Sequence, residues 1–126
     1  ELSALIQTAR QKKYKVVVYG VGCRGSMLVN GHKLAGQIDF AVDDQKERQG
    51  KYMAGSHLLI CPSETLADYQ ENILVLLAVG QENDEKVKER IKSIIIDDQY
   101  LTLSVCCPSD IFKEIRAAKI KIDRLG

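Results

Sequence analysis

The sequence predicts an α/β fold built on a parallel β-sheet, and two features of the hydrophobic pattern indicate it. Runs of β-branched and aliphatic residues alternate along the chain with segments whose apolar residues recur at helical spacing. Residues 16–19 and 73–79 are continuously apolar, which is typical of strands buried on both faces of a parallel sheet. Because parallel neighbours are joined by crossover connections, we expect helices to cover both faces.

Three strands are predicted in the first half of the chain. An N-terminal helix carries apolar residues at helical spacing over residues 2–9, and a basic segment, residues 10–15, follows it. A glycine-rich turn and a short helix ending at Asn30 and Gly31 follow the first strand, and a brief helix opens at Pro62 after the third. The strands themselves are predicted at residues 16–19, 38–42 and 57–60.

Two further strands are predicted in the second half. The fourth, residues 72–79, is the most hydrophobic segment of the chain. Asn83 is placed to cap the next helix, in which apolar residues recur from Val87 onward. The exposed face of that helix carries two i, i+4 ion pairs, Glu82 with Lys86 and Asp84 with Lys88. A fifth strand, residues 101–106, precedes a terminal helix that starts at Ile111.

This order of elements predicts a Rossmann-like, three-layer fold with a parallel sheet of about five strands in the order 3-2-1-4-5. In such sheets a ligand binds outside the carboxyl ends of the strands, where the strand order reverses. Here that point lies between the first and fourth strands, next to the glycine-rich turn. We expect one domain over residues 1–126. Since the chain begins with Glu1 rather than Met, we expect it to have been cut from a longer enzyme.

Composition excludes several classes of protein. The chain has 126 residues, 45% of them hydrophobic and 28% charged, which predicts a packed core and excludes a disordered or collagen-like chain. The 18 Lys and Arg residues are interspersed with 17 Asp and Glu residues, so we expect no nucleic-acid partner. No apolar run approaches the roughly 20 residues of a membrane span, and no signal-peptide pattern is present. We therefore expect no membrane partner.

The four cysteines form no C-x-x-C pair, and the adjacent Cys106 and Cys107 are poorly placed to bridge each other or to ligate one metal ion. We interpret all four as small core side chains in a reducing cytoplasm and expect no metal site.

The turn after the first strand has the pattern G-x-G-x-x-G, formed by Gly20, Gly22 and Gly25. In a dinucleotide site these glycines allow a tight turn, a close approach of the ligand and close helix packing, and the helix N-terminus binds an anion. Asp43, at the end of the second predicted strand, is placed to accept hydrogen bonds from ribose hydroxyls. The alternative is that the glycines serve only the turn and the packing, while Asp43 caps a loop.

No catalytic residue is evident. One sheet with its helices uses the whole chain, so no part is left to hold a substrate against a nicotinamide ring. We interpret His32 and His57 as surface or packing residues. Residues 16–19 lack the acidic residue that usually precedes the glycines of a methyltransferase sheet. Neither a complete dehydrogenase nor an independent methyltransferase is therefore expected.

A more specific pattern extends over residues 20–30 and 38–57. It includes Arg24, Gly25, Leu28, Asn30, Val42, Asp43, Arg48, Gln49, Gly50, Lys51, Tyr52, Gly55, Ser56 and His57. In type and spacing these residues resemble the C-terminal domain of the sugar C-methyltransferases over about half of the chain. The chain departs from the family pattern at Gln45 and Lys46, which replace Asn-Pro, at Ala54, which replaces proline, and at residues 79–82, which lack Trp-Asn.

The resemblance implies a non-catalytic domain that helps to bind a nucleotide-sugar. In that family a zinc-binding module comes first, a middle domain binds S-adenosylmethionine and carries the chemistry, and the last domain closes the nucleotide-sugar site. The partners implied are therefore the catalytic methyltransferase domain of the same polypeptide and the nucleotide-sugar. The residues implied in binding are Gly20, Gly22, Arg24, Gly25, Asn30, Asp43, Arg48, Gln49, Tyr52 and His57.

Three functional hypotheses follow. The first is this C-terminal domain, with no cofactor of its own and with S-adenosylmethionine bound elsewhere in the parent enzyme. The second is an independent module that binds NAD(P) through the glycines and Asp43. The third is an assembly domain that binds nothing, in which Arg48, Gln49 and Lys51 belong to a solvated loop.

Overall fold

The computed structural model describes residues 2–21, 35–53, 55, 57–68, 72–79, 81–95, 100–104 and 111–125. Its centre is a five-stranded sheet in the order β3-β2-β1-β4-β5, and every neighbouring pair is parallel. The predicted fold class and strand order are confirmed. The strands are β1 (Lys15–Tyr19), β2 (Phe40–Val42), β3 (Ile60–Cys61), β4 (Ile73–Leu77) and β5 (Tyr100–Ser104).

Helices cover both faces of the sheet. Helices α1 (Leu2–Gln11) and α3 (Ile111–Leu125) contact each other on one face. On the other face, α2 (Gln81–Ile94) packs beside a short 3-10 helix (Ser63–Asp68). A second 3-10 helix (Ala35–Gln37) precedes β2 and contacts α1. None of the described helices is both long enough and apolar enough to cross a membrane.

The central strands are buried because their side chains alternate between two apolar layers. In β1, Val16 and Val18 belong to the cluster that includes α1 and α3, while Val17 and Tyr19 belong to the cluster that includes α2. All five residues of β4 are buried. The continuous apolar runs of the sequence therefore correspond to the two middle strands of the sheet.

The third strand is shorter than predicted and lies later in the chain. The prediction covered residues 57–60, whereas β3 is Ile60–Cys61. The preceding residues turn back in a hairpin in which Ile60 N–H donates to the carbonyl of Lys51, and Met53 N–H to that of Leu58. His57 has φ 60°, a left-handed conformation that an extended strand does not contain.

Other boundaries differ by a few residues. Strand β2 begins at Phe40 rather than at residue 38, although Asp39 N–H already donates to the Val16 carbonyl. Helix α2 begins at Gln81, so Asn83 lies in its first turn instead of capping it. Asparagine is tolerated in the first turn because the N–H groups there have no intrahelical acceptor and its side-chain oxygen can accept from them. The short helix predicted after the glycine turn and the last two residues predicted for the fifth strand lie outside the described residues.

Candidate functional site

The carboxyl ends of β1, β2 and β4 border an open crevice of about 370 Å³. It lies where the strand order reverses between β1 and β4, the place where ligands bind in open parallel sheets. The end of β1, the loop after β2 and helix α2 each contribute to its lining, among them Tyr19, Gly20, Asp43, Arg48, Asn83 and Lys86.

Gly20 allows the chain to leave β1 close to the end of β4. Its φ is +103°, and a Cβ atom built on it would lie 2.9 Å from the carbonyl oxygen of Ala78. Its N–H donates to the Val42 carbonyl at 2.9 Å, and Ala78 N–H donates to the Tyr19 carbonyl at 2.9 Å. The tight turn at the floor of the crevice therefore requires a residue without a side chain.

The carboxylate of Asp43 connects the glycine turn to the loop after β2. Its Oδ2 accepts from Val21 N–H at 3.1 Å and from Arg48 Nη1 at 3.0 Å, while its Oδ1 accepts from Gln45 N–H at 2.8 Å. Gln49 Nε2 donates to the Asp43 carbonyl at 2.9 Å. The structure thus brings together three of the residues that the sequence singled out, Asp43, Arg48 and Gln49. In this arrangement the aspartate orients the loop.

A second polar network beside the crevice connects β1, the loop after β2, the 3-10 helix that starts at Ser63, and α2. Asp44 accepts from the Tyr19 hydroxyl at 2.5 Å and from Ser63 Oγ at 2.6 Å. Arg90 of α2 completes the network, with Nε 3.4 Å from Ser63 Oγ and Nη2 2.6 Å from the Glu64 carboxylate. Burial above all, and then the hydrogen bond to Asp44, raises the pKa of Tyr19 well above its ordinary value. Tyr19 is therefore a neutral donor at physiological pH.

This raised pKa predicts a loss of stability in alkali. Unfolded Tyr19 ionises near pH 10 while the folded residue keeps its proton to higher pH, so the free energy of unfolding should be level below that pH and fall above it. Tyr19→Phe should flatten the fall and should cost about 1 kcal/mol near neutrality through the lost hydrogen bond. Urea denaturation of both proteins across this pH range measures the effect. Parallel losses in the two proteins would contradict the prediction.

Two predicted binding residues lie away from the crevice. Tyr52 is 66% exposed and pairs with Leu59 in the hairpin that precedes β3. His57 is exposed, and its N–H donates to the Met53 carbonyl at the tip of that hairpin. Cys61 pairs with Val42 at the carboxyl end of β2, next to the crevice. The chain from His57 to Cys61 advances by four residues, which span at most roughly 13 Å. His57 therefore lies towards the amino edge of the sheet.

The remaining predicted residues, Gly22, Arg24, Gly25 and Asn30, lie outside the described part of the chain. Sequence reasoning missed Lys86 and Asn83, which line the crevice from α2. Their i, i+3 spacing places them on one helix face, but the sequence pattern assigned Lys86 to an exposed ion pair with Glu82. Among the described residues, no group of three or more His, Cys, Asp and Glu side chains is placed to hold a metal ion.

Comparison with solved structures identifies the class of fold. The chain is similar to RSP, a Rex-family repressor, with a TM-score of 0.54 and 14% identity over 89% of this chain and 61% of that one. It is also similar to RSP in complex with β-NADH, with a TM-score of 0.53 and 14% identity over 89% and 62% of the two chains. The chain thus spans about three fifths of these proteins. At this identity the likeness shows the fold alone, a Rossmann-like α/β domain.

Comparison with protein families is more specific. The sequence model of the family described as the C-methyltransferase C-terminal domain matches residues 1–98. This chain belongs to that family, which confirms the resemblance found in the sequence. A comparison with curated proteins found no match.

Proposed function

We propose that this domain forms one wall of the nucleotide-sugar site in an S-adenosylmethionine-dependent sugar C-methyltransferase and carries no catalytic group itself. The observation that carries the proposal is the open crevice at the strand-order reversal of a C-methyltransferase C-terminal domain. The crevice has cationic side chains on two separate elements, Arg48 on the loop after β2 and Lys86 on α2.

These two cations suit a diphosphate. Arg48 uses Nη1 to bind Asp43, yet its side chain is 38% exposed, and a guanidinium has further N–H donors for a phosphate oxygen. Lys86 forms no ion pair with another described residue. Asn83, one helical turn earlier, adds an amide to the same wall. A diphosphate between the two walls would contact both cations.

The amino end of α1 and the crevice lie at the same edge of the sheet. Helix α1 has ten residues and spans about 15 Å, and β1 has five residues and spans about 17 Å. The helix runs back along β1, so Leu2 lies near the sheet edge that ends in Gly20. In the proposed enzyme the catalytic domain would face this edge of the sheet and close the crevice.

We assign the methyl-transfer chemistry to that catalytic domain, in a cytoplasmic enzyme. C-methylation requires removal of a proton beside a ketone and attack of the resulting enolate on a methyl sulfonium, so a base and S-adenosylmethionine must face the sugar. In this arrangement Arg48 and Lys86 would hold the nucleotide diphosphate. The sugar would then extend out of the crevice towards the reacting groups.

Ligand titrations followed by the amide NMR shifts of the chain test this function. A TDP-sugar or UDP-sugar should shift residues around Gly20, Asp43 and Lys86. Lys86→Ala should weaken binding about tenfold, which corresponds to about 1.4 kcal/mol. The matched control is Lys92→Ala, an exposed lysine of the same helix outside the crevice, and it should bind as the unmodified chain does. Absence of shifts at the crevice with millimolar nucleotide-sugar would favour an assembly domain.

An NAD-binding module is the second candidate, because a structural neighbour forms a complex with β-NADH and Asp43 occupies the end of β2. Against it, the Asp43 carboxylate already accepts three hydrogen bonds from its own chain. In the same titration, shifts caused by NAD alone and lost in Asp43→Ala would replace the first proposal with this one.

A further inference from the structure

The crevice at the carboxyl edge of the sheet carries a negative side chain that a bound diphosphate does not use. Asp44, two residues after β2, is exposed and lines the crevice. Its neighbour Asp43 is buried and binds Arg48, whereas Asp44 forms no ion pair with any residue that the structure describes. A carboxylate without a counter-charge repels a phosphate, so Asp44 needs a role other than binding the diphosphate.

Two neutral donors hold the Asp44 carboxylate in one orientation. The Tyr19 hydroxyl donates to Oδ2 at 2.5 Å, and the Ser63 hydroxyl donates to Oδ1 at 2.6 Å. These donors come from separate elements, since Tyr19 ends β1 and Ser63 begins the 3-10 helix after β3. Each carboxylate oxygen can accept about two hydrogen bonds. Both oxygens therefore keep the capacity to accept one more, on a side chain that is exposed in the crevice.

A purely structural role would explain the two hydrogen bonds of Asp44 but not its charge. A neutral asparagine could make both bonds, because its carbonyl accepts from the Tyr19 hydroxyl and its NH2 donates to a serine hydroxyl, which can also accept. Arg90 belongs to the same network, yet it contacts Ser63 and Glu64 instead of Asp44. The crevice thus presents a fixed negative acceptor in addition to its two cations.

The side chain of Asp44 and the proposed phosphate position are close enough for one ligand to contact both. Lys86 and Arg90 are four residues apart on α2, so their Cβ atoms are about 6 Å apart. Arg90 contacts Ser63, which in turn donates to Asp44. A phosphate at Lys86 would therefore have the next group of its ligand near Asp44. In a nucleotide-sugar, the groups on both sides of the diphosphate are sugar rings that carry hydroxyls.

We infer that Asp44 accepts a hydrogen bond from a hydroxyl on a sugar ring of the ligand, with Tyr19 and Ser63 as positioning residues. This inference rests on the proposed nucleotide-sugar function and adds a hydroxyl subsite beside the phosphate subsite. The hydroxyl belongs either to the ribose of the nucleotide or to the hexose. The negative charge of the same carboxylate disfavours a further phosphate at that position.

Titration of the chain with pyrophosphate, UDP and UDP-glucose, followed by amide NMR shifts, tests the inference in Asp44→Asn. UDP-glucose should bind the variant about tenfold more weakly, because a hydrogen bond to a charged acceptor is lost. Pyrophosphate carries no sugar hydroxyl, so it should bind equally well or up to about twofold more tightly once the repulsion is removed. EDTA in every titration excludes a metal ion bridging Asp44 and the diphosphate.

The UDP titration identifies which ring supplies the hydroxyl. An equal loss of affinity for UDP and UDP-glucose in Asp44→Asn would indicate the ribose, and a loss for UDP-glucose alone would indicate the hexose. Tyr19→Phe and Ser63→Ala keep the carboxylate and remove one positioning donor each. Each should weaken UDP-glucose binding about threefold and leave pyrophosphate binding unchanged. Glu47→Gln is the matched control, because Glu47 is exposed in the same loop but does not line the crevice.

The possible failures of this inference and of the proposed function can be told apart. Unchanged UDP-glucose affinity in Asp44→Asn, with the crevice shifts retained, would overturn the inference and leave the nucleotide-sugar function standing. Equal losses for pyrophosphate and UDP-glucose would show that the substitution distorts the crevice, and would reduce Asp44 to a structural residue. Absence of crevice shifts with UDP-glucose in the unmodified chain would overturn the proposed function and this inference with it.

Discussion

Gly20→Ala is expected to lower the free energy of unfolding by about 3 kcal/mol, a large part of the stability of a small domain. Its φ of +103° is a conformation that L-residues rarely adopt, which costs about 1–2 kcal/mol. The new methyl group would also lie 2.9 Å from the Ala78 carbonyl oxygen and 3.0 Å from Val79 Cγ1. The Ala78 carbonyl belongs to the buried backbone and cannot rotate away as a side chain could. Overpacking therefore adds about 1–3 kcal/mol to the loss of stability.

Two other glycines provide matched controls for urea denaturation. Gly50 has φ +81° with no atom within 4 Å of a built Cβ, so Gly50→Ala should cost only the backbone strain, about 1 kcal/mol. Gly36 has the same open space without the left-handed conformation, and Gly36→Ala should be neutral or stabilising by about 0.5 kcal/mol. Equal losses at Gly20 and Gly50 would show that the approach of β4 does not require glycine.

The two middle strands could be predicted from the sequence because a strand buried on both faces has a continuous run of apolar residues. Strands β1 and β4 lie between two apolar layers, and this environment requires the uninterrupted aliphatic runs that predicted them. No comparable apolar run marks the position of β3 in the sequence. It depends on hairpin hydrogen bonds between the segments before and after residue 55 and on the left-handed backbone of His57.

In the site, too, contacts between residues close in the sequence could be predicted, whereas contacts that depend on tertiary packing could not. Asp43 and Arg48 lie five residues apart in one loop, so their proximity was within reach of sequence reasoning. Lys86 reaches the crevice only because α2 packs over β4 next to the crevice. No local sequence pattern specifies that packing. Tyr52 follows the same loop in the sequence, but the hairpin carries it along the edge of the sheet instead of into the crevice.

Asp43→Asn should lower the free energy of unfolding by about 2 kcal/mol and distort the crevice. The carboxylate is 9% exposed and accepts hydrogen bonds from Val21 N–H, Gln45 N–H and Arg48. An amide keeps one acceptor oxygen and turns an NH2 group towards a donor, and it leaves Arg48 without its counter-charge. Breaking a fully buried pair costs about 3–5 kcal/mol, and the partial exposure of Arg48 reduces that figure.

Asp39→Asn is the matched control, because Asp39 has the same kind of partners at the other end of β2. Asp39 accepts from Val16 N–H and from Arg10, but the side chain of Asp39 is 23% exposed and that of Arg10 is 40% exposed. Solvent screening should limit its loss to about 1 kcal/mol. In urea denaturation the loss at Asp43 should exceed the loss at Asp39, and only the change at Asp43 should weaken nucleotide-sugar binding. If the two losses were equal, or if Asp43→Asn bound the nucleotide-sugar unchanged, Asp43 would not be the residue that holds the glycine turn and the β2 loop in place for a ligand.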